Sequence, residues 1–188
     1  MNQTALLIID VQNDYFTDGR MALFQPEKAL TNISILEKEF QLSNAPIIYI
    51  QHIFAEIPAP FFEKNTEGVK LHPNLAVQDH SFIVEKAFPN SFFQTNLQAI
   101  LSHLGIQKLV ITGMMTHMCV DATTRAAAEL GYQSIVISDA TATRNLSYAD
   151  RTVQALDVQT SFLSAFQMFA QVHSTASYLS TLISSEKQ

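Results

Sequence analysis

Short, nearly continuous apolar runs alternate along this chain with longer stretches in which apolar residues recur every three or four positions. The runs at 5–9, 46–51, 81–84, 108–112 and 134–138 have the length and β-branched content of strands, and 167–172 forms a sixth with a weaker pattern. Continuous apolar character is what a strand needs when both of its faces are covered. The stretches 26–39, 90–104, 117–130 and 147–163 carry the helical period. Pro26 suits a first helical position, where its missing N–H costs nothing, and Gly105 and Gly131 stand where the second and third helices would stop. Strand and helix in alternation predict an α/β fold: three layers, Rossmann-like, with a mostly parallel six-stranded sheet and helices on both faces. In such sheets chemistry gathers beyond the carboxyl ends of the strands.

One stretch breaks the rhythm. Residues 53–80 carry Pro58, Pro60 and Pro73 together with Phe54, Phe61 and Phe62 and show little periodicity. So long a stretch inside a compact domain is usually a binding loop or lid. No repeat or linker divides the chain, and 188 residues with 47% hydrophobic content suffice for one core, so a single domain over 1–188 is expected. The net charge of −6 and the lack of any Lys/Arg run argue against a nucleic-acid partner. No apolar run approaches the ~18 residues that span a bilayer, and the opening MNQTALLIID lacks the basic stretch of a signal peptide. A cytoplasmic protein with no membrane partner is the expectation. Its single cysteine excludes an intramolecular disulfide, fits a reducing compartment and leaves a thiol to explain.

Three residues at predicted strand ends could carry chemistry. Asp10 closes the first strand in LLIIDVQNDYF, Lys86 follows the third in FIVEKAFPNSF, and Cys119 lies just past the fourth in ITGMMTHMCV, where a helix should begin. A thiol at a helix N-terminus beside an ammonium group should have a depressed pKa. A carboxylate within reach can take the thiol proton and return it to a leaving amine, and backbone N–H groups at the turn can hold an oxyanion. Taken singly, each residue also has a plain structural use: cysteine as a small buried hydrophobe, aspartate as a turn residue, lysine as solvated surface.

Four ordered blocks resemble a known family, the isochorismatase-like cysteine hydrolases, which include nicotinamidases, N-carbamoylsarcosine amidase and streptothricin hydrolase. LLIIDVQNDYF resembles the family's opening strand, VEKAFPNSFFQTNLQAIL its lysine segment, LVITGMMTHMCVDATTRAAAELGY its nucleophile block, and IVISDATAT the strand and turn that follow. The resemblance implies Asp10 as general base and acid, Lys86 as its electrostatic partner and Cys119 as nucleophile. It further implies a cis peptide bond between Met114 and Met115, with the N–H groups of Met115 and Cys119 forming the oxyanion hole. The implied reaction is hydrolysis of a small amide through a thioester on Cys119. Isochorismatases proper, which cleave a vinyl ether, lack a cysteine at this position, so the resemblance favours the amide.

Many nicotinamidases bind a metal through an aspartate and histidines after the second strand. Here that strand continues as Tyr49-Ile50-Gln51-His52-Ile53-Phe54, and His52 alone is a poor metal site, so neither metal nor other cofactor is expected. Phe16, Phe54, Phe61, Phe62, Phe92, Met114 and His117 are the side chains best placed by sequence to line a substrate pocket. His117 stands where nicotinamidase-like relatives often have aspartate, which argues against nicotinamide as substrate. The family usually forms dimers or tetramers, so a homodimer or homotetramer is expected. Two other classes stay open at this point: a metabolite-binding protein without catalysis, and a redox-sensing thiol protein.

Overall fold

The computed structural model describes residues 3–54 and 56–185; Ala55, inside the long loop, lies outside them. Six strands form one parallel sheet: β1 (Thr4–Ile9), β2 (Ile47–His52), β3 (Phe82–Lys86), β4 (Lys108–Met114), β5 (Gln133–Ala142) and β8 (Gln171–His173), in the order β3-β2-β1-β4-β5-β8. A short antiparallel hairpin of β6 (Leu146–Tyr148) and β7 (Arg151–Val153) stands apart from it. The helices are α1 (Pro26–Leu42), α2 (Leu97–His103), α3 (Asp121–Glu129), α4 (Ala155–Phe166) and α5 (Thr175–Ser185). Among the described residues no helix is long and apolar enough to cross a membrane.

Alternation along the strands divides the core into two layers. Leu6 and Ile8 of β1 face one way and pack with Ile33, Leu36 and Phe40 of α1 and Tyr178 of α5. Ala5, Leu7 and Ile9 face the other way and pack with Leu97 and Leu101 of α2, Ala127 of α3 and Phe166 of α4. This is the three-layer Rossmann-like arrangement that the apolar runs predict.

The strand order reverses at β1, which lies between β2 and β4, and ligands bind in α/β sheets at such a switch point. Close approach there depends on Gly113, paired with Ile9 across the β1/β4 seam. A Cβ at Gly113 would stand 2.0 Å from the Ile9 carbonyl oxygen, and its φ of +112° is one that side-chain-bearing residues rarely adopt. Gly113→Ala is expected to destabilise the fold by about 3 kcal/mol or more, read as a fall in the denaturation midpoint.

The long loop is strapped to the residues after β1. The N–H groups of Asn13 and Asp14 donate to the carbonyls of Lys70 and Gly68, and that of His72 donates to Val11. The N–H of Phe62 donates to Asp14 Oδ2 at 2.6 Å. Farther along, the buried Glu37 of α1 accepts from the Tyr49 hydroxyl at 2.8 Å and from the Ala76 N–H at 2.9 Å, so one carboxylate ties helix, sheet and loop together.

Burial raises the Glu37 carboxyl pKa, and the two hydrogen bonds offset only part of that rise. With the folded value above the unfolded one, the native state holds the proton more tightly. Stability therefore falls as pH climbs from 4.5 through the raised value. Glu37→Gln keeps the acceptor and removes the charge, so denaturant melts across this window should show the variant losing less stability than the parent as pH rises.

Candidate active site

Backbone geometry at three strand ends brings the chemistry together. Asp10 leaves the extended region with φ +51°, a conformation that aspartate tolerates, while its N–H still donates to Ile50 O of β2. Lys86 is the last residue of β3 and pairs in register with His52, the last of β2. Cys119 lies in a π-helical turn, Thr116–Val120, between β4 and α3. The Thr116 hydroxyl fixes that turn, with Ala142 O at 3.1 Å and Gln159 Oε1 at 2.7 Å. The peptide bond from Met114 to Met115 is cis.

Lys86 Nζ stands 2.8 Å from Asp10 Oδ2, with both side chains fully enclosed. It also meets His52 Nδ1 at 3.0 Å. An ammonium can only donate, so Nδ1 accepts and the ring proton sits on Nε2. Cys119 Sγ lies 3.8 Å from the same Nδ1. Ligand atoms of Asp10, His52 and Cys119 all lie within 4.8 Å of one another, a grouping that could in principle hold a metal ion. The Lys86 ammonium already supplies the cation for Asp10 and His52 there.

The protonation states follow from this packing. Burial alone would raise the Asp10 carboxyl, but the Lys86 ammonium outweighs it and holds the carboxyl below its ordinary value of 3.8. Burial alone would lower Lys86, and the Asp10 charge outweighs it in turn, raising the ammonium pKa. The pair is thus ionised throughout the neutral range. Cys119 departs from the sequence expectation of a depressed thiol. Its pKa is raised well above the usual thiol range, first by burial and then by the Asp10 carboxylate, and Lys86 recovers only part of the shift. A lysine spacing can be read from sequence, but the enclosure that desolvates the thiol cannot. The resting group is a neutral thiol beside a carboxylate whose Oδ1 is enclosed and has no hydrogen-bond partner.

His52 has a larger place here than its single appearance in the sequence suggests. Gln12 clamps its backbone, accepting from the His52 N–H at 2.8 Å and donating to the His52 carbonyl at 2.9 Å and to Val69 O at 2.6 Å. A residue at the end of one strand lies opposite the end of the next. Aligning the ends of β2 and β3 would therefore have placed His52 beside Lys86.

Three of the aromatic candidates border the loop side of this group. Phe54 lies 4.8 Å from the His52 ring and Phe62 6.0 Å, with Phe61 between them at 5.1 and 4.9 Å. Tyr15, missed by the sequence reading, packs at a tilt on Phe62 at 4.5 Å, and Phe16 packs on His72 at 4.2 Å. Met114 is fully buried at the end of β4, and His117 Nδ1 meets Thr143 Oγ1 at 2.6 Å. Phe92 does not join them. Its ring stacks on Tyr132, which precedes β5, because the segment after β3 turns Ser91 onto Thr123 of α3.

A doubly covered parallel sheet with a buried carboxylate, ammonium and thiol at its switch point defines an isochorismatase-like cysteine hydrolase. The model of the Isochorismatase domain matches residues 4–177, and the chain belongs to that family. It is 44% identical to the isochorismatase family protein YddQ of Bacillus subtilis (strain 168), over 94% of this chain and 98% of that one. The solved structure of an isochorismatase hydrolase from Oleispira antarctica superposes with a TM-score of 0.91 at 40% identity, covering 95% of this chain and 97% of that one. Streptothricin hydrolase of Streptomyces noursei is 30% identical over 77% of this chain and 51% of its own length.

Proposed function

We propose that this hydrolase cleaves the C–N bond of a small amide through a thioester on Cys119. The observation that carries the reading is the enclosed Lys86–Asp10 ion pair with a free carboxylate oxygen beside a protonated thiol. Asp10 takes the thiol proton as the sulfur attacks the amide carbonyl, and Lys86 offsets the negative charge passing between them. The N–H groups of Met115 and Cys119 receive the oxyanion. Collapse breaks the C–N bond, and Asp10 returns the proton to the departing ammonia or amine. Water then gives a proton to Asp10 and attacks the thioester, releasing the acid and restoring the thiol.

The likeness to streptothricin hydrolase supports an amide as substrate. Burial and the raised thiol pKa weigh against a redox-sensing role, since readily oxidised cysteines are accessible and low in pKa. The test is a screen of small primary amides by ammonia release, with Cys119→Ala as control. Turnover by the parent alone supports the reading. Equal turnover by Cys119→Ala, or none by the parent across the panel, contradicts it.

A further inference from the structure

Two acceptors of different kinds hold the Lys86 ammonium. Asp10 Oδ2 at 2.8 Å is charged, and His52 Nδ1 at 3.0 Å is neutral. They fare differently in the reaction. As the Cys119 proton passes to Asp10, the carboxylate is neutralised and the negative charge moves to sulfur, so the ion pair that fixes the ammonium is undone at the step where its position counts. Nδ1 keeps its lone pair throughout. It stands 3.8 Å from Cys119 Sγ and equally 3.8 Å from Asp10 Oδ2. A neutral acceptor also leaves the ammonium's charge unspent, whereas a second carboxylate would compete with the thiolate for it.

His52 is fixed more closely than a core residue requires. Gln12 accepts its N–H and donates to its carbonyl, it pairs in register with Lys86, and the N–H of Ile53 donates to Lys86 O at 2.8 Å. Its ring packs on Phe54 and Phe62. With Nδ1 taken by the ammonium, the ring proton sits on Nε2, and that nitrogen is enclosed with no hydrogen-bond partner. Leucine would fill similar space without burying an unpaired donor, so packing alone does not account for an imidazole. General-base chemistry does not account for it either, because the nitrogen that faces the sulfur is held by Lys86 at the shorter distance.

We propose that His52 is a positioning residue, its Nδ1 holding the Lys86 ammonium in place while Asp10 takes the thiol proton, so that the positive charge stays with the nascent thiolate. This rests on the reading of Cys119 as the nucleophile of an amide hydrolase. The probe is iodoacetamide, which calls for the same activation with no amide cleaved: the Cys119 proton passes to Asp10, a sulfur–carbon bond forms and iodide leaves. Alkylation rates at pH 8 are read by mass spectrometry for the parent, His52→Leu and His52→Asn, whose Oδ1 falls close to the place of Nδ1. His52→Leu should slow alkylation about 10- to 100-fold, the loss of a hydrogen bond to a charged group. His52→Asn should recover most of that loss, although the void it leaves lowers its melting temperature. A residue that only filled the core would give the reverse order. Nitrogen-15 spectra of the parent at pH 8, with the His52 signal identified by its loss in either variant, should show the ring proton on Nε2. The inference is overturned if the folded parent resists alkylation, if His52→Leu reacts as fast as the parent, if His52→Asn is as slow as His52→Leu, or if the proton sits on Nδ1.

The panel of small primary amides separates the two claims. His52→Leu should lower kcat for any amide turned over and leave KM nearly unchanged, because His52 meets Lys86 and acts through it. Alkylation that depends on the acceptor, with no amide turned over, sinks the hydrolase reading and leaves the positioning role. Turnover by His52→Leu at the parent's kcat sinks the positioning role and leaves the hydrolase.

Discussion

Cys119→Ala lowers kcat for any amide the protein hydrolyses by about 10⁴-fold or more, because no other group can form the covalent intermediate. The sulfur sits 3.8 Å from His52 Nδ1 in an enclosed site, and the chain has no second thiol to replace it. Stability should change little, by about 1 kcal/mol, since one sulfur is removed from a core that keeps its other contacts. A melt and a progress curve on the same sample therefore separate loss of chemistry from loss of fold. Retention of more than a few per cent of activity would place the nucleophile elsewhere.

The second large effect concerns the ion pair. Lys86→Met leaves the Asp10 carboxylate buried with no counter-charge 2.8 Å away, and breaking a buried pair in this way costs about 3–5 kcal/mol at neutral pH. The sign with pH is fixed by linkage. In the parent, the folded Asp10 pKa lies below the unfolded value, so its contribution is present above that value and is lost as pH falls through the folded one. In the variant burial acts without Lys86, the folded pKa rises above the unfolded value, and the deficit should shrink as pH falls. Adding Asp10→Asn to Lys86→Met removes the stranded charge and should recover much of the loss, as urea melts of the double-mutant cycle will show. Equal deficits at pH 4.5 and pH 8 would contradict the account.

Much of the sheet was legible because strands covered on both faces leave little choice of residue: ALLII and LVI are apolar throughout. The errors lie where polar side chains or distant contacts decide. Segment 90–104 carries the helical period, yet helix begins only at Leu97. Asn90 Oδ1 accepts the Phe92 N–H and the Thr95 hydroxyl donates to Ser91 O, which commits the first turns to local side-chain bonds. Segment 147–163 starts as a hairpin, with Ser147 paired to Thr152, and turns helical at Ala155. The last helix was missed because Asp139, a residue of β5, accepts the N–H and hydroxyl of Thr175, a contact no local pattern announces. At the site, Asp10, Lys86 and Cys119 could be named from ordered motifs. His52 follows only from aligning the ends of β2 and β3, and Tyr15 could not be named, because its place comes from the loop residue Phe62 that packs on it.

The central claim is that Cys119 carries the acyl group, and it can be weighed. Rapid acid quench of the parent with any amide it turns over, followed by mass spectrometry of the Cys119 peptide, should show that peptide heavier by the mass of the amide minus ammonia or the departing amine. The adduct should appear before the acid accumulates and should vanish in Cys119→Ala. Acid formed at full rate with no adduct on Cys119 at any quench time, or an adduct on another residue, would contradict the account.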